Sequence, residues 1–272
     1  MNTLGINKNI SLIIGIKNRV NHFIQTFPSM ITQYGSDYSI VFSDFGSQDN
    51  FLSRLKDEVA SREEMFSPYL KEIRCISLTQ DLKFNPRKAK NMGAAYCRDD
   101  SSIFAFSDVD TFLSMDYLSY WADKIEEGKS FFVTRQQDSK ASLPCRLSPE
   151  INYGNVMVYK KDIIEINGWD ESINYYGGDD DDFFHRLKLK GLREINPISS
   201  VDAKQYSILH GDELRTHFMS QTERPNKEKE FERIYGNNVY NKSICDYLDL
   251  SNVAEMVELH CIYKQNKGDE NE

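Results

Sequence analysis

The distribution of hydrophobic and polar positions in the first half of the chain follows two different periods. Short apolar runs at Ile10–Ile16 and Tyr38–Phe42 are rich in β-branched and aromatic residues, as expected of buried strands. Between them, over Phe23–Ile31, the large apolar residues recur at helical spacing. This order of strand, helix and strand predicts an α/β protein with a mostly parallel central sheet flanked by helices.

The same criteria predict further elements along the chain. The segment Gln136–Tyr153 contains two prolines and no clear period, so we expect a mobile loop there. In the helix that begins at Asn85-Pro86, we expect Arg87, Lys88 and Lys90 near the start or on the polar side. Helices are also predicted at Phe51–Ala60, Tyr117–Ile125, Lys161–Ile166, Lys227–Tyr235 and Val253–Cys261, and strands at Ile73–Leu78, Phe131–Thr134, Asn155–Tyr159, Leu192–Ile195 and Tyr206–His210.

One strand leads directly into two acidic residues. The apolar run Ile103–Phe106 is followed by Ser107, Asp108 and, one residue further on, Asp110. An open α/β sheet places its ligand at the carboxyl ends of its parallel strands. Ionised carboxylates leave water only when something neutralises them, and a hard divalent cation is the simplest neutraliser.

A second acidic cluster, Asp179–Asp182, follows Gly177 and Gly178. Acids in a first helical turn are favoured by the helix dipole, but four of them repel one another. Helical spacing places Asp180 on the face of the apolar residues that follow, so we expect partial burial and a raised pKa for its carboxyl group. The same spacing pairs Asp182 with a basic residue one turn later, Arg186.

Composition narrows the possible functions. The 272 residues suffice for one large α/β domain, and the formal net charge of −9 with pI near 5.2 argues against a nucleic-acid surface. The five cysteines are widely spaced, which indicates neither a zinc site nor a disulfide framework. With no disulfide framework indicated, the expected compartment is the reducing cytoplasm. No apolar run approaches the about 20 residues of a membrane span, so we expect no direct membrane insertion.

Several of these stretches together resemble a glycosyltransferase of the GT-A fold. The segments Lys17–Arg19, Val41–Ser47 and Ala89–Gly93 resemble the family 2 nucleotide-sugar pattern. From Phe84 onward the chain is more similar to the β-1,4-galactosyltransferases, through F-N-P-R-K-A-K-N-M-G, F-S-D-V-D, I-N-G-W-D and G-G-D-D-D-D-F-F-H-R-L. The resemblance covers about residues 10–236 and implies a GT-A domain over 1–236, followed by a small C-terminal helical appendage and tail over 237–272.

The resemblance also implies roles for individual residues. The D-x-D would hold Mn²⁺ (or Mg²⁺) on the diphosphate of a UDP-sugar, with the downstream His210, or failing that His217, completing the metal shell. Asp180 would act as the catalytic base, and Asp179 is the second choice. The nucleotide would be bound by Asp44, Arg19, Arg87, Asp108 and Lys17, and the acceptor by Tyr176, Gly178 and Asp179.

Three departures from the galactosyltransferase pattern leave donor and acceptor open. Asp179 replaces a Glu, Tyr176 replaces a Trp, and Pro86 displaces an Arg that contacts the nucleotide. The membrane anchor of the animal enzymes is missing from the pattern, so the expected protein is a bacterial one that builds surface polysaccharide. Peripheral association with the inner face of the membrane is compatible with a lipid-linked saccharide acceptor.

The expected reaction is inverting transfer from a UDP-sugar, such as UDP-galactose or UDP-N-acetylhexosamine, to a hydroxyl of a saccharide acceptor. Two alternatives remain. The run F-A-F-S-D-V-D-T also fits a haloacid dehalogenase-like, Mg²⁺-dependent phosphatase, although that motif usually lies near the N-terminus. The other alternative is a catalytically idle protein that only binds nucleotide sugars.

Overall fold

The computed structural model describes residues 8–134, 147–148, 155–173, 177–197, 202, 204–208, 227–236, 238–241 and 243–265. The predicted roles of Tyr176, His210 and His217 fall outside these residues, as does most of the segment Gln136–Tyr153.

The described strands form two sheets. The larger has eight strands in the order β11-β3-β2-β1-β4-β8-β6-β9, and the smaller has three in the order β5-β10-β7. In chain order the strands are β1 (Ile10–Ile16), β2 (Tyr38–Asp44), β3 (Leu70–Leu78), β4 (Ile103–Asp108), β5 (Thr111–Leu113), β6 (Ser130–Val133), β7 (Leu147–Ser148), β8 (Val156–Tyr159), β9 (Arg193–Ile195), β10 (Gln205–Ile208) and β11 (Val257–Lys264).

Helices flank the large sheet. They are α1 (Val20–Ile31), α2 (Phe51–Arg62), α3 (Pro86–Ala95), α4 (Tyr117–Ala122), α5 (Lys160–Glu165), α6 (Asp179–Leu189) and α7 (Lys227–Tyr235), with short 3₁₀ turns at Glu63–Met65, Asp246–Leu248 and Leu250–Met256. No helix among the described residues is long and apolar enough to cross a membrane.

The register of the central strands brings their carboxyl ends together. Strand β1 lies parallel to both β2 and β4, with Ile16 opposite Asp44 and Gly15 opposite Asp108. The strands themselves are almost completely buried, as their apolar sequences predicted. Polar residues that follow β1, β2 and β4 therefore meet at one edge of the sheet, where an α/β fold places its ligand.

Helix α3 packs very closely on this part of the sheet. A Cβ atom built on Gly93 would lie 2.6 Å from Cγ2 of Ile13 and 3.2 Å from Cβ of Ser43, so only glycine fits there. The helix is capped by Asn85, whose side chain accepts hydrogen bonds from the N–H groups of Arg87 and Lys88. This close approach fixes the height of the α3 side chains above the strand ends.

Two basic residues of α3 that we expected near its start or on its polar side are buried. The side chains of Arg87 and Lys90 are 1% and 9% exposed, because α3 is covered on that side by α6 and by the turn at Trp169. Burying a cation requires compensating negative charge, and the first turn of α6 supplies it. The helix therefore contributes its basic residues to the interior rather than to the surface.

The helix predicted over Val253–Cys261 is also wrong. The 3₁₀ turn ends at Met256, and β11 then pairs antiparallel with β3, with His260 opposite Cys75. The apolar residues of this segment do recur at helical spacing, but the open edge of β3 offers a complete ladder of backbone hydrogen bonds instead. The end of the chain thus contributes a strand to the central sheet.

Candidate active site

The D-x-D lies at the carboxyl end of β4, in the middle of the sheet. Asp108 is the last residue of β4, and Asp110 precedes the short strand β5. The N–H of Asp108 donates to Oδ1 of Asn155 at 3.1 Å, and the hydroxyl of Thr26 donates to the carbonyl of Val109 at 2.7 Å. The backbone of the motif is therefore held from both sides.

The first turn of α6 faces the D-x-D across α3. Gly178, at the N-cap, has φ of 75°, and a Cβ there would lie 2.1 Å from Oε1 of Glu230 in α7. Asp179 pairs with Arg87, whose Nη2 lies 2.9 Å from Oδ1, and the same nitrogen donates to the carbonyl of Gly177 at 3.3 Å. The start of α6 is thus fastened to α3 by a buried ion pair.

Lys90 lies at the centre of the site. Its Nζ is 3.4 Å from Oδ1 of Asp180 and 3.9 Å from the centroid of the Trp169 ring. That indole is in turn stacked on Phe183 of α6, with ring centroids 3.9 Å apart and an interplanar angle of 4°. A buried ammonium is therefore held between an aromatic face and a carboxylate.

Asp180 points toward the body of the protein, as its helical spacing predicted. Its side chain is 18% exposed, and it faces Lys90 rather than solvent. The predicted pairing of Asp182 with Arg186 is confirmed, with Nε of Arg186 2.8 Å from Oδ2 of Asp182. The acids of the cluster therefore have different surroundings, and Asp180 combines burial with partial access.

The site carries excess negative charge in a desolvated environment. Burial, reinforced by the charge of Asp110, raises the pKa of Asp108 to about 7. Burial is also the main cause that raises the pKa of Asp180 to about 6, although the Lys90 ammonium opposes it. For Lys90, burial lowers the pKa, but the carboxylates of Asp180, Asp179 and Asp108 outweigh it, and the net pKa is raised. Lys90 is therefore a permanent cation between the two acidic clusters.

We expect the substitution Asp108→Asn to stabilise the metal-free protein at pH 8. The folded protein binds the Asp108 proton more tightly than the unfolded chain, so its stability falls as pH rises from 3.8 and is fully reduced above about 7. Removing this carboxylate should raise stability by on the order of 2 kcal/mol, or about 4–8 °C in Tm. Thermal melting in EDTA at pH 8 and at pH 4.5 measures the difference.

The exposed Asp57 on α2 provides the control, because Asp57→Asn removes the same charge from a solvent-exposed side chain outside the D-x-D. The gain at Asp108 should be larger at pH 8 than at pH 4.5. An unchanged or lower Tm at pH 8 would show that the Asp108 carboxylate is not under electrostatic strain.

The residues predicted to bind the nucleotide lie at the same sheet edge, but their charged groups have different surroundings. Asp44 ends β2, is buried, and accepts a hydrogen bond from the N–H of Ser47 at 2.9 Å; burial raises its pKa. Arg19 is the N-cap of α1. The ammonium of Lys17 donates to the carbonyls of Phe45 and Gly46 at 3.1 and 2.9 Å and pairs with Asp81 at 2.5 Å. Lys17 therefore fastens the turn after β2.

The structure assembles two residues that the sequence did not single out. The sequence predicts Lys90 near the start or on the polar side of α3, and Trp169 enters only as part of the I-N-G-W-D motif. The available pattern was the spacing of Arg87, Lys90, Asn91 and Ala94, which is helical and defines a second face of α3. Two cations on such a face, followed by four acids at a later helix start, are a pattern that predicts their pairing.

The donor atoms at the D-x-D suit a hard divalent cation. Two carboxylates stand one residue apart at the strand end, and burial with mutual repulsion raises the pKa of Asp108, as expected where a positive charge is needed. Among the described residues, no group of three or more His, Cys, Asp or Glu side chains forms a complete metal site. Two carboxylates with substrate phosphates and water are nevertheless a common ligand set for Mg²⁺-like ions.

Two family models match this chain, and they divide it in the same way as the sequence motifs do. The model described as "Glycosyl transferase family 2" matches residues 11–178, which include the D-x-D and Lys90. The model described as "N-terminal domain of galactosyltransferase" matches residues 140–235, which include the acidic cluster at the start of α6.

Among curated proteins, chondroitin sulfate synthase 3 of Homo sapiens is 24% identical over 149 residues, covering 43% of this chain and 17% of that protein. The corresponding Mus musculus protein is 25% identical over 150 residues. The chain thus spans less than a fifth of the length of these relatives.

Among solved structures, the catalytic domain of Drosophila β1,4-galactosyltransferase 7 with xylobiose has a TM-score of 0.53 at 18% identity, covering 83% of this chain and 79% of that one. Mannosyltransferase PcManGT from Pyrobaculum calidifontis, with GDP-Man and Mn²⁺, has a TM-score of 0.57 at 12% identity, covering 90% and 73%. S. aureus TarS with UDP has a TM-score of 0.50 at 15% identity, covering 75% and 61%. The predicted GT-A fold is confirmed.

Proposed function

Because this chain belongs to glycosyl transferase family 2 and is a glycosyltransferase, we propose that it transfers a sugar, with inversion, from a UDP-sugar to a hydroxyl of a saccharide acceptor. The family match includes the D-x-D, which removes the basis for the phosphatase alternative. Galactose or an N-acetylhexosamine is the proposed sugar, by the likeness to galactosyltransferases.

The observation that carries this proposal is the arrangement of two acidic sites around one lysine. Asp108 and Asp110 lie at the end of β4, and Asp180 lies at the start of α6, with Lys90 between them. Inverting transfer needs a site that stabilises the leaving diphosphate and a base on the acceptor side. The two acidic sites are chemically suited to these two tasks.

Asp108 and Asp110 would hold Mn²⁺ or Mg²⁺ on the donor diphosphate. The N–H of Ile208 in β10 donates to the carbonyl of Asp110 at 2.8 Å, so β10 lies directly beside the motif. His210 follows two residues later in the sequence, and we propose it as the third ligand. When bound, the cation would act as a Lewis acid that stabilises negative charge on the departing nucleotide. A Drosophila β1,4-galactosyltransferase 7 mutant has been solved with manganese, UDP-Gal and xylobiose, which supports the assignment.

Asp180 is the proposed base. Its carboxylate would accept the proton of the acceptor hydroxyl as the oxygen attacks the anomeric carbon, and the bond to the UDP oxygen breaks on the opposite side. A pKa raised to about 6 leaves this group mostly ionised at neutral pH yet basic enough to accept a proton. Asp179 is buried and paired with Arg87, so its proposed task is to fix the start of α6 beside the acceptor, together with Gly178.

For the nucleotide we propose Asp44 and Arg19 as contacts, Asp44 with the uracil ring. Arg87 and Lys17, which the motifs placed near the nucleotide, would act indirectly, because their charged groups already bind Asp179 and the turn after β2. The proposed acceptor is a free or lipid-linked saccharide that contacts Tyr176. A place in bacterial surface polysaccharide synthesis, in the cytoplasm or at the inner membrane face, completes the proposal.

Thermal-shift screening tests the donor assignment. A ligand at about 100 times its Kd stabilises the folded state by about 2.7 kcal/mol, which corresponds to a rise in Tm of about 5 °C or more. We expect this rise for UDP and UDP-sugars with Mn²⁺, a smaller one without Mn²⁺, and almost none for GDP-mannose. The Asp110→Asn protein should lose the Mn²⁺-dependent part.

Stabilisation by GDP-mannose instead of UDP would contradict the proposed donor. Binding of UDP-sugars without hydrolysis or transfer to any of a panel of saccharides would favour the idle binding protein. Product analysis by mass spectrometry separates this outcome from slow transfer.

A further inference from the structure

A buried amide pair connects the D-x-D to the small sheet. Asn155, immediately before β8, is fully buried. Its Oδ1 accepts the N–H of Asp108 at 3.1 Å, and its Nδ2 donates to Oε1 of Gln205 at 2.8 Å. Its carbonyl also accepts the N–H of Thr134 at 2.9 Å, just after β6. One asparagine therefore joins the ends of two strands of the large sheet to β10 of the small sheet.

The amide pair and the backbone hold β10 at both acidic residues. Gln205, 1% exposed, begins β10 opposite Leu113 of β5. At the other end of β10, the N–H of Ile208 donates to the carbonyl of Asp110. Asp108 is thus tied to β10 through Asn155, and Asp110 is tied to it directly. The position of β10 relative to the two carboxylates depends on both connections.

The chemistry of this pair indicates a positional role. Nε2 of Gln205 is buried and has no hydrogen-bond partner among the described residues, which is an unfavourable state for an amide. An apolar side chain of similar size would avoid this penalty and fill the same space. Such an apolar side chain cannot fix the distance and direction between Asn155 and β10. It therefore also cannot fix the direction of Asp108, which is held through Asn155.

We propose that the Asn155–Gln205 amide pair is a positioning device that sets the two D-x-D carboxylates relative to β10. The inference rests on the proposed metal-dependent function. Neither amide touches the substrate. The pair fixes the geometry of the ligand set and so determines how tightly the divalent cation is bound.

The test measures Mn²⁺ binding directly, by electron paramagnetic resonance and by calorimetry in the presence of UDP. Gln205→Met removes the acceptor while keeping the size of the side chain. We expect its Kd for Mn²⁺ to rise about 10–100-fold, the usual effect of losing a group that orients metal ligands. Gln205→Asn moves the acceptor without removing the amide, and provides the same test if the Met variant does not fold.

The matched control is Gln33→Met. Gln33 is also 1% exposed, and its amide donates to the carbonyls of Ser29 and Ser114 rather than bonding to Asn155 or to residues 108–110. This variant should lose stability to a similar degree while its Kd for Mn²⁺ stays at the wild-type value. A fall in affinity confined to the Gln205 variants supports the inference.

Two results would contradict different claims. Wild-type Mn²⁺ affinity in Gln205→Met or Gln205→Asn, together with a lower Tm, would show that the pair has only a structural role and would overturn the inference. Failure of the wild-type protein itself to bind Mn²⁺ with UDP would overturn the proposed function, and this is visible before any variant is made.

Discussion

The Asp180→Asn protein is expected to transfer sugar about 10²–10⁴ times more slowly than the wild type, the usual contribution of a general base. Asparagine has nearly the same shape but cannot accept the acceptor proton. UDP and Mn²⁺ binding should be unchanged, because the proposed donor site lies on the D-x-D side of Lys90. Initial rates with saturating UDP-sugar, together with calorimetric UDP binding, measure the two effects separately.

The neighbouring Asp181→Asn variant removes the same charge from the same helix and should retain activity, since Asp181 is not part of the proposed site. In the wild type, kcat/KM should fall as pH decreases through about 6, because protonation of Asp180 removes the base. Full activity of Asp180→Asn, or loss of UDP binding in it, would refute the assignment of Asp180.

The Lys90→Met protein is expected to show the second large loss. Without the ammonium, the Asp180 carboxylate is left buried beside Asp179 and Asp108, with Arg87 as the remaining nearby cation. Breaking a buried ion pair in this way typically costs about 3–5 kcal/mol of folding stability. Because Asp180 without its cation is held protonated at neutral pH, we also expect kcat to fall by up to about 10²-fold at pH 7, through loss of the general base. The acidic limb of the pH profile should move above 6, because a cation that lowered the pKa of Asp180 is gone.

Lys90→Arg keeps the positive charge and should recover part of the activity. The acidic limb of its pH profile should lie closer to that of the wild type. Thermal melting establishes that each variant is folded. A Lys90→Met protein with reduced activity but an unshifted limb would show that Lys90 does not act on Asp180.

The parts of the fold that follow from local pattern could be predicted from the sequence. Strands β1, β2 and β4 are apolar runs too short for helices, and α1 has a clear amphipathic period, so element type was determined locally. The helix predicted over Val253–Cys261 was wrong for the opposite reason. Its conformation depends on the edge of β3, about 180 residues earlier in the chain, which no local period can reveal.

The predictions for the site divide in the same way into those that depend on local sequence and those that depend on distant residues. The D-x-D and the orientation of Asp180 follow from strand and helix geometry within a few residues. The burial of Arg87 and Lys90 depends on the acids of α6, about 90 residues away, and on the Trp169 ring. From the sequence alone, a charged residue in a helix is assigned to the polar face, because the opposite charge that would neutralise it in the interior lies elsewhere in the chain. Asn155 had no local pattern at all, because the two partners of its side chain belong to different sheets.

The stacking of Trp169 gives the protein an internal optical reporter. The chain contains two tryptophans, and the other, Trp121, is stacked on Phe132. The indole of Trp169 has an ammonium over one face and Phe183 against it, so its emission depends on where Lys90 lies. A donor diphosphate that attracts Lys90 away from the ring would change the fluorescence of one known residue. Substrate binding could then be followed in real time without a label.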